Sequence, residues 1–122
     1  SPIEILTRVG GYEIAMICSG MIEAAKKGML VLVDGFIATA AALLATRIET
    51  SSRDNMIFCH QSEEPGHQAM LRAMQAEPLL NLGMRLGEGS GCALAYPLIV
   101  SAVNFVNDMA SFDGAQVSQT NI

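Results

Sequence analysis

The sequence predicts an α/β fold with a parallel sheet, closed by a long C-terminal helix. Helix-like and strand-like segments alternate through residues 12–75, as parallel βαβ units require. The strand-like run Met29-Leu30-Val31-Leu32-Val33 is apolar without alternation, which suits a strand covered on both faces. A glycine-rich loop then opens a last apolar stretch of helical length.

Each element has a local cause. Gly10-Gly11 marks a helix start, and residues 12–27 read as that helix. Residues 29–33 form the first strand, Asp34-Gly35 breaks the run, and the alanine- and leucine-rich residues 36–48 form a second helix. The apolar span 29–46 therefore reads as a buried strand and helix, not a membrane segment. Residues 55–58 form a second short strand, and Pro65 begins a helix through residue 75 whose far side Pro78 marks. Residues 93–109 form the last helix, in which Pro97 is tolerable because it lies in the first turns. Residues 1–110 make one domain and residues 111–122 a polar tail.

Composition narrows the function classes. The 122 residues are 51% hydrophobic, with 7 Lys+Arg against 12 Asp+Glu and a formal net charge of -5. Nucleic-acid binding needs positive charge to displace counterions from phosphates, so this balance argues against it. Three cysteines without CxxC spacing suit reduced, buried thiols in a cytoplasmic protein. The opening Ser1-Pro2-Ile3-Glu4 has no basic n-region, so no signal peptide is expected.

In a parallel sheet, ligands bind beyond the carboxyl ends of the strands. Here that brings Asp34-Gly35, residues 59–64 and the loop Arg85-Leu86-Gly87-Glu88-Gly89-Ser90-Gly91 toward one crevice. Glu88 reads either as a working carboxylate between glycines or as a solvated loop acid, and Ser90 as a cap for the helix that follows. Asp34 reads as a partner for a sugar hydroxyl or as the N-cap of the helix from Phe36, and Ser62 as a phosphate donor or plain turn chemistry. Cys59, His60, Glu63, Glu64 and His67 cluster within nine positions but match no closed zinc pattern. His67 is better read as holding its loop by hydrogen bonds, and Met16, Met70, Met74 and Met84 as core or interface packing.

Five motifs occur in order: Val9-Gly10-Gly11-Tyr12-Glu13-Ile14, Leu32-Val33-Asp34-Gly35-Phe36-Ile37, His60-Gln61-Ser62-Glu63-Glu64-Pro65-Gly66-His67, Glu77-Pro78-Leu79-Leu80, and Met84 through Gly91. Together they resemble the C-terminal part of the nicotinate-nucleotide:dimethylbenzimidazole phosphoribosyltransferase family, over nearly the whole chain. The resemblance implies part of a Rossmann-like three-layer domain. It also implies transfer of phosphoribose from nicotinate mononucleotide to 5,6-dimethylbenzimidazole, giving α-ribazole 5′-phosphate and nicotinate in cobalamin nucleotide loop assembly. Glu88 would be the catalytic base. Ser62, Asp34, Gly35, Leu86 and Gly87 would bind substrate. No metal or organic cofactor is implied. Full-length members carry a long N-terminal portion, so the chain is expected to be a fragment with little activity alone, forming a homodimer or pairing with the missing portion, with no nucleic acid or membrane partner. Two other readings stand beside this one: a non-catalytic binding or assembly module, and a metal-dependent hydrolase resting on His60, His67 and the nearby acids.

Overall fold

The computed structural model describes residues 1–111, 114 and 115; most of the polar tail read from the sequence lies outside the described residues. The order of elements is α1 (Pro2–Val9), α2 (Tyr12–Lys26), β1 (Val31–Val33), α3 (Phe36–Ile48), a 3-10 turn (Thr50–Asn55), β2 (Met56–Phe58), β3 (His60–Ser62), α4 (His67–Ala73), β4 (Leu80–Met84) and α5 (Ser90–Asp108). Helix α1 was not read from the sequence. It starts with a capping box in which Ser1 Oγ accepts from the Glu4 N–H at 3.3 Å and the Glu4 carboxylate reaches back to the Ser1 nitrogen.

The strands pair in parallel. β1 lies beside β2 in the register Val31–Met56, Leu32–Ile57 and Val33–Phe58, and β3 lies beside β4 from His60–Leu80 to Ser62–Met84 with an irregularity between. Cys59 joins the two ladders, because its N–H donates to the Val33 carbonyl at 2.9 Å and its own carbonyl accepts from Leu80 at 3.1 Å. Residues 56–62 therefore run as one bent strand with β1 along one edge and β4 along the other.

The two faces of this sheet are covered differently. Val33, Met56 and Phe58 pack with Cys18 and Met21 of α2, Ala41, Ala42 and Ala45 of α3, and Leu71 and Met74 at α4. Alanines let α3 approach the sheet closely. Across the sheet, Leu30, Ile57 and Leu79 face Leu98, Val103 and Val106 of α5 over an apolar groove of about 460 Å³. Helices, sheet and α5 thus make three layers, as the family resemblance implied.

Several boundaries move, α4 ending at Ala73 and not at residue 75 among them. β1 begins at Val31, not Met29, because α2 ends in a Schellman motif: Gly28 adopts φ +68°, its N–H bonds the Ala25 carbonyl, and the Met29 N–H bonds Ala24. α4 begins at His67, since Pro65-Gly66 forms the preceding turn with Gly66 at φ +89°. α5 begins at Ser90, three residues before the expected start, and Pro97 lies inside it. By length and composition α5 could cross a membrane, whereas the apolar span 29–46 that invited that question is β1 and most of α3.

Candidate active site

The carboxyl ends of β1 and β3 open into a cavity of about 560 Å³ whose wall includes Asp34, Gly35, His60, Ser62, Gly87 and Glu88. Ile17, Phe36 and Ile37 supply an apolar side, and Arg85 stands on the polar side. A slightly larger hollow, about 620 Å³, lies under α1 against Leu43 and Leu44 and is almost wholly apolar. The convergence of chemically able groups singles out the first cavity rather than the larger one.

Asp34 ties the site together, though not as expected. The N-cap of α3 is Gly35, and no side chain caps that helix. Asp34 instead reaches across to the start of α5, where Oδ2 accepts from the Gly89 N–H at 3.1 Å and Oδ1 accepts from Gly91 at 2.8 Å and Cys92 at 3.3 Å. These are orphan amides of a helix N-terminus, and a carboxylate there is favoured by both hydrogen bonding and the helix dipole. Ser90 does not cap α5: it lies one residue inside, and its hydroxyl is buried without a partner among the described residues.

The loop so anchored is unusual in its backbone. Gly87, Glu88 and Gly89 adopt φ values of +73°, +57° and +79°, and Glu88 is a non-glycine residue in the left-handed region. Such a conformation persists where the surroundings dictate it, here the three bonds to Asp34 and the Ser90 N–H to the Gly87 carbonyl at 3.0 Å. Gly91 is required by contact, since a Cβ there would sit 2.0 Å from His60 Cδ2 and 2.6 Å from Asp34 Oδ1. Glu88 is exposed at the rim of the cavity, while Leu86 is 73% exposed and does not line it.

On the β3 side, Ser62 is buried and its Oγ accepts from the Glu64 N–H at 3.3 Å, leaving the hydroxyl proton to point elsewhere. The Ser62 N–H donates to His67 Nδ1 at 2.8 Å, so that nitrogen carries no proton and Nε2 donates to Thr39 Oγ1 at 2.9 Å. Burial holds the His67 pKa below the usual histidine range. With both nitrogens engaged, His67 is a structural clasp between α3, β3 and α4. Among the described residues no three of His, Cys, Asp and Glu gather as a metal-binding group.

Two neighbours went unrecognised as site residues in the sequence. His60, considered there only as a metal ligand, is 1% exposed beneath Asp34, with Nε2 3.4 Å from Oδ1. Arg85 was visible in the glycine motif and lies 3.7 Å from Glu64 across the mouth of the cavity. Burial pushes the Cys59 thiol up to about 12, helped by the adjoining Cys92 thiol and Asp34, so it is an inert packing group. Cys18, Cys59 and Cys92 are all free thiols.

Comparison with known proteins gives the family of the fold. The phosphoribosyltransferase family model DBI_PRT matches residues 1–117. The nicotinate-nucleotide–dimethylbenzimidazole phosphoribosyltransferase of Shewanella piezotolerans is 57% identical over 116 residues, covering 95% of this chain and 34% of that protein. The protein of the same name from Shewanella sp. strain W3-18-1 is 59% identical over 116 residues, covering 95% and 33%. A crystal structure of the Thermus thermophilus protein superposes with a TM-score of 0.90 at 40% identity, covering 98% of this chain and 36% of that one. The chain spans about a third of the length of the curated relatives it matches, and the superposition includes α5, which is thus part of the common fold. By the family model and by these relatives, the chain belongs to the DBI_PRT phosphoribosyltransferase family.

Proposed function

We propose that this chain supplies the catalytic carboxylate and part of the nucleotide site for transfer of phosphoribose from nicotinate mononucleotide to 5,6-dimethylbenzimidazole. The observation that carries the reading is Glu88, held in a left-handed turn at the rim of a cavity with an apolar side at Ile17, Phe36 and Ile37 and a polar side at Ser62 and Arg85. A flat benzimidazole suits the first side and a phosphorylated sugar the second.

The chemistry follows from charge. A benzimidazole nitrogen that attacks the anomeric carbon becomes cationic unless its other N–H is lost, and Glu88 accepts that proton as the charge develops. The leaving pyridinium nitrogen becomes neutral as its bond to the sugar breaks, so the departure of nicotinate needs no strong general acid. The products are α-ribazole 5′-phosphate, inverted at the anomeric carbon, and nicotinate. Ser62 Oγ donates to the phosphate. Asp34 contributes indirectly, since three backbone amides already occupy its carboxylate.

In-line attack requires both reactants to be held, and the cavity wall here is open, so the chain by itself turns over little. Exposed apolar side chains such as Leu98, Val103 and Val106 favour a homodimer or pairing with the remainder of the family fold. The three free thiols favour the cytoplasm.

The test is a chimera in which this chain replaces the corresponding third of the Shewanella piezotolerans enzyme. Formation of α-ribazole phosphate is expected in the chimera, and Glu88→Gln lowers turnover about 10²–10⁴-fold with nucleotide binding retained. Unchanged turnover at saturating benzimidazole removes Glu88 from the base role.

A further inference from the structure

His60 is buried to 1% exposure at the floor of the cavity, and among the described residues neither ring nitrogen has a hydrogen-bond partner. Buried polar groups are nearly always satisfied, so an unpartnered imidazole beside a candidate catalytic loop calls for a reason. The ring is wedged between two glycine backbones. A Cβ on Gly35 would stand 3.5 Å from Nε2, and a Cβ on Gly91 would overlap Cδ2 at 2.0 Å. Both glycines therefore give this ring its place, one in the turn after β1 and the other in the first turn of α5.

The nearest complementary group is Asp34, with Oδ1 at 3.4 Å from Nε2 but out of line for a hydrogen bond. The same oxygen accepts from Gly91 and Cys92, and its partner oxygen accepts from Gly89. A carboxylate has room for about four donors. Hydrogen bonds of catalytic sites are often long in the unliganded protein and tighten in the complex.

We propose that His60 is a positioning residue that acts through Asp34. Its Nε2–H completes the donors around the carboxylate, the carboxylate holds the 87–91 loop, and the loop fixes Glu88 against the cavity. The effect on the loop follows from the geometry alone, whereas the effect on turnover rests on the transferase reading above.

Two isosteres separate this role from simple packing. In His60→Gln the amide nitrogen falls near the place of Nε2 and can donate to Asp34, while in His60→Asn it falls near Nδ1 and is too short to do so. On the 122-residue chain, amide hydrogen exchange at Gly91 and Cys92 is expected to quicken about tenfold or more in His60→Asn and to stay within about threefold of the parent in His60→Gln, with the hydrogen-bonded amides of Cys59 and Leu80 protected alike in all three. Equal exchange in the Asn variant and the parent, or failure of Gln to restore protection, overturns the proposal. If the Asn variant does not fold, His60→Leu against His60→Gln gives the same contrast.

In the chimera, His60→Asn is expected to lower kcat about tenfold with KM for nicotinate mononucleotide within about twofold, and His60→Gln to recover most of it. An unchanged kcat in the Asn variant overturns the positioning role. A parental chimera that makes no α-ribazole phosphate strikes the transferase reading instead, and the exchange measurement still decides the anchoring of the loop.

Discussion

The two faces of the sheet are held in different ways. Toward α2, α3 and α4, Val33, Ala41, Ala42, Ala45 and Phe58 are all at most 2% exposed and form a closed core. Toward α5, a 19-residue helix buries only Gly91 and Ala95, while Phe105 and Val106 are 66% and 85% exposed. Helix α5 is thus secured at one end, through the bonds from Asp34 to its first amides, and rests along its length over an apolar groove. Glu88 sits at the secured end. Its geometry depends on a few hydrogen bonds and a steric fit at Gly91, not on the packed core behind them.

Truncation on each face tests that contrast most sharply. Phe58 fills the closed side and carries the Arg53 guanidinium 5.1 Å from its ring centroid, so Phe58→Ala is expected to cost about 3–5 kcal/mol in urea unfolding. In the dilute, unpaired chain, Val106→Ala removes a side chain that the proposed pairing would cover but that here lies in solvent, and should fall within about 0.5 kcal/mol of the parent. If the two losses were comparable, α5 would be covered in solution by another surface and the contrast would not describe the working protein.

A smaller effect is expected where the two regions meet. Gly91→Ala drives a methyl group into His60 and Asp34, and overpacking of this kind costs about 1–3 kcal/mol. Gly20, on an exposed part of α2 with open space where a Cβ would go, offers the control: Gly20→Ala should stabilise by about 0.5–1 kcal/mol. Thermal unfolding of the pair separates a steric requirement from general helix propensity. Equal shifts of the same sign would show that Gly91 is not pressed against the site.

Local signals carried far in this chain where the cause of structure is local. Helix α3 occupies residues 36–48, as the apolar alanine-rich run and the Asp34-Gly35 break indicate. β3 was missed because His60-Gln61-Ser62 has neither a continuous apolar run nor an alternation, whereas β4 does alternate in Leu80-Asn81-Leu82-Gly83-Met84 and was missed because Asn81 and Gly83 are poor strand formers beside a glycine loop. α1 had a readable signal in Ser1-x-x-Glu4. The role of Asp34 had none, since its amide partners lie 55–58 residues away and adjacent chemistry pointed to α3 instead. His60 was obscured for the same reason: only the tertiary fold brings Gly91 against its ring.

The polar side of the cavity allows a finer comparison with the loop. Ser62→Ala removes the proposed phosphate donor and is expected to weaken nicotinate mononucleotide by about 1.5 kcal/mol while leaving dimethylbenzimidazole affinity nearly unchanged. Calorimetric titration of the chimera with each ligand reads both. Equal weakening of the two ligands would mean that β3 itself had shifted, because the Ser62 backbone also holds His67.

The mildest expected effect lies in the pH dependence of that clasp. Burial lowers the His67 pKa in the folded chain, and the Ser62 N–H directed at Nδ1 leaves no place there for a second proton. Below the unfolded histidine value of about 6.5 the unfolded chain binds more protons than the folded one, so stability increases with pH in that interval. The contribution is fully present above about pH 6.5 and is lost as pH falls toward the lowered folded value. His60 and Asp34 face the same ring region and are common to parent and variant, so the difference between the two proteins isolates His67. His67→Gln should therefore be less stable than the parent at about pH 7.5 and lose less on acidification to about pH 5, since it has no proton to take up. An identical slope of unfolding free energy against pH in the two proteins would show that His67 is not held neutral by its bonds to Ser62 and Thr39.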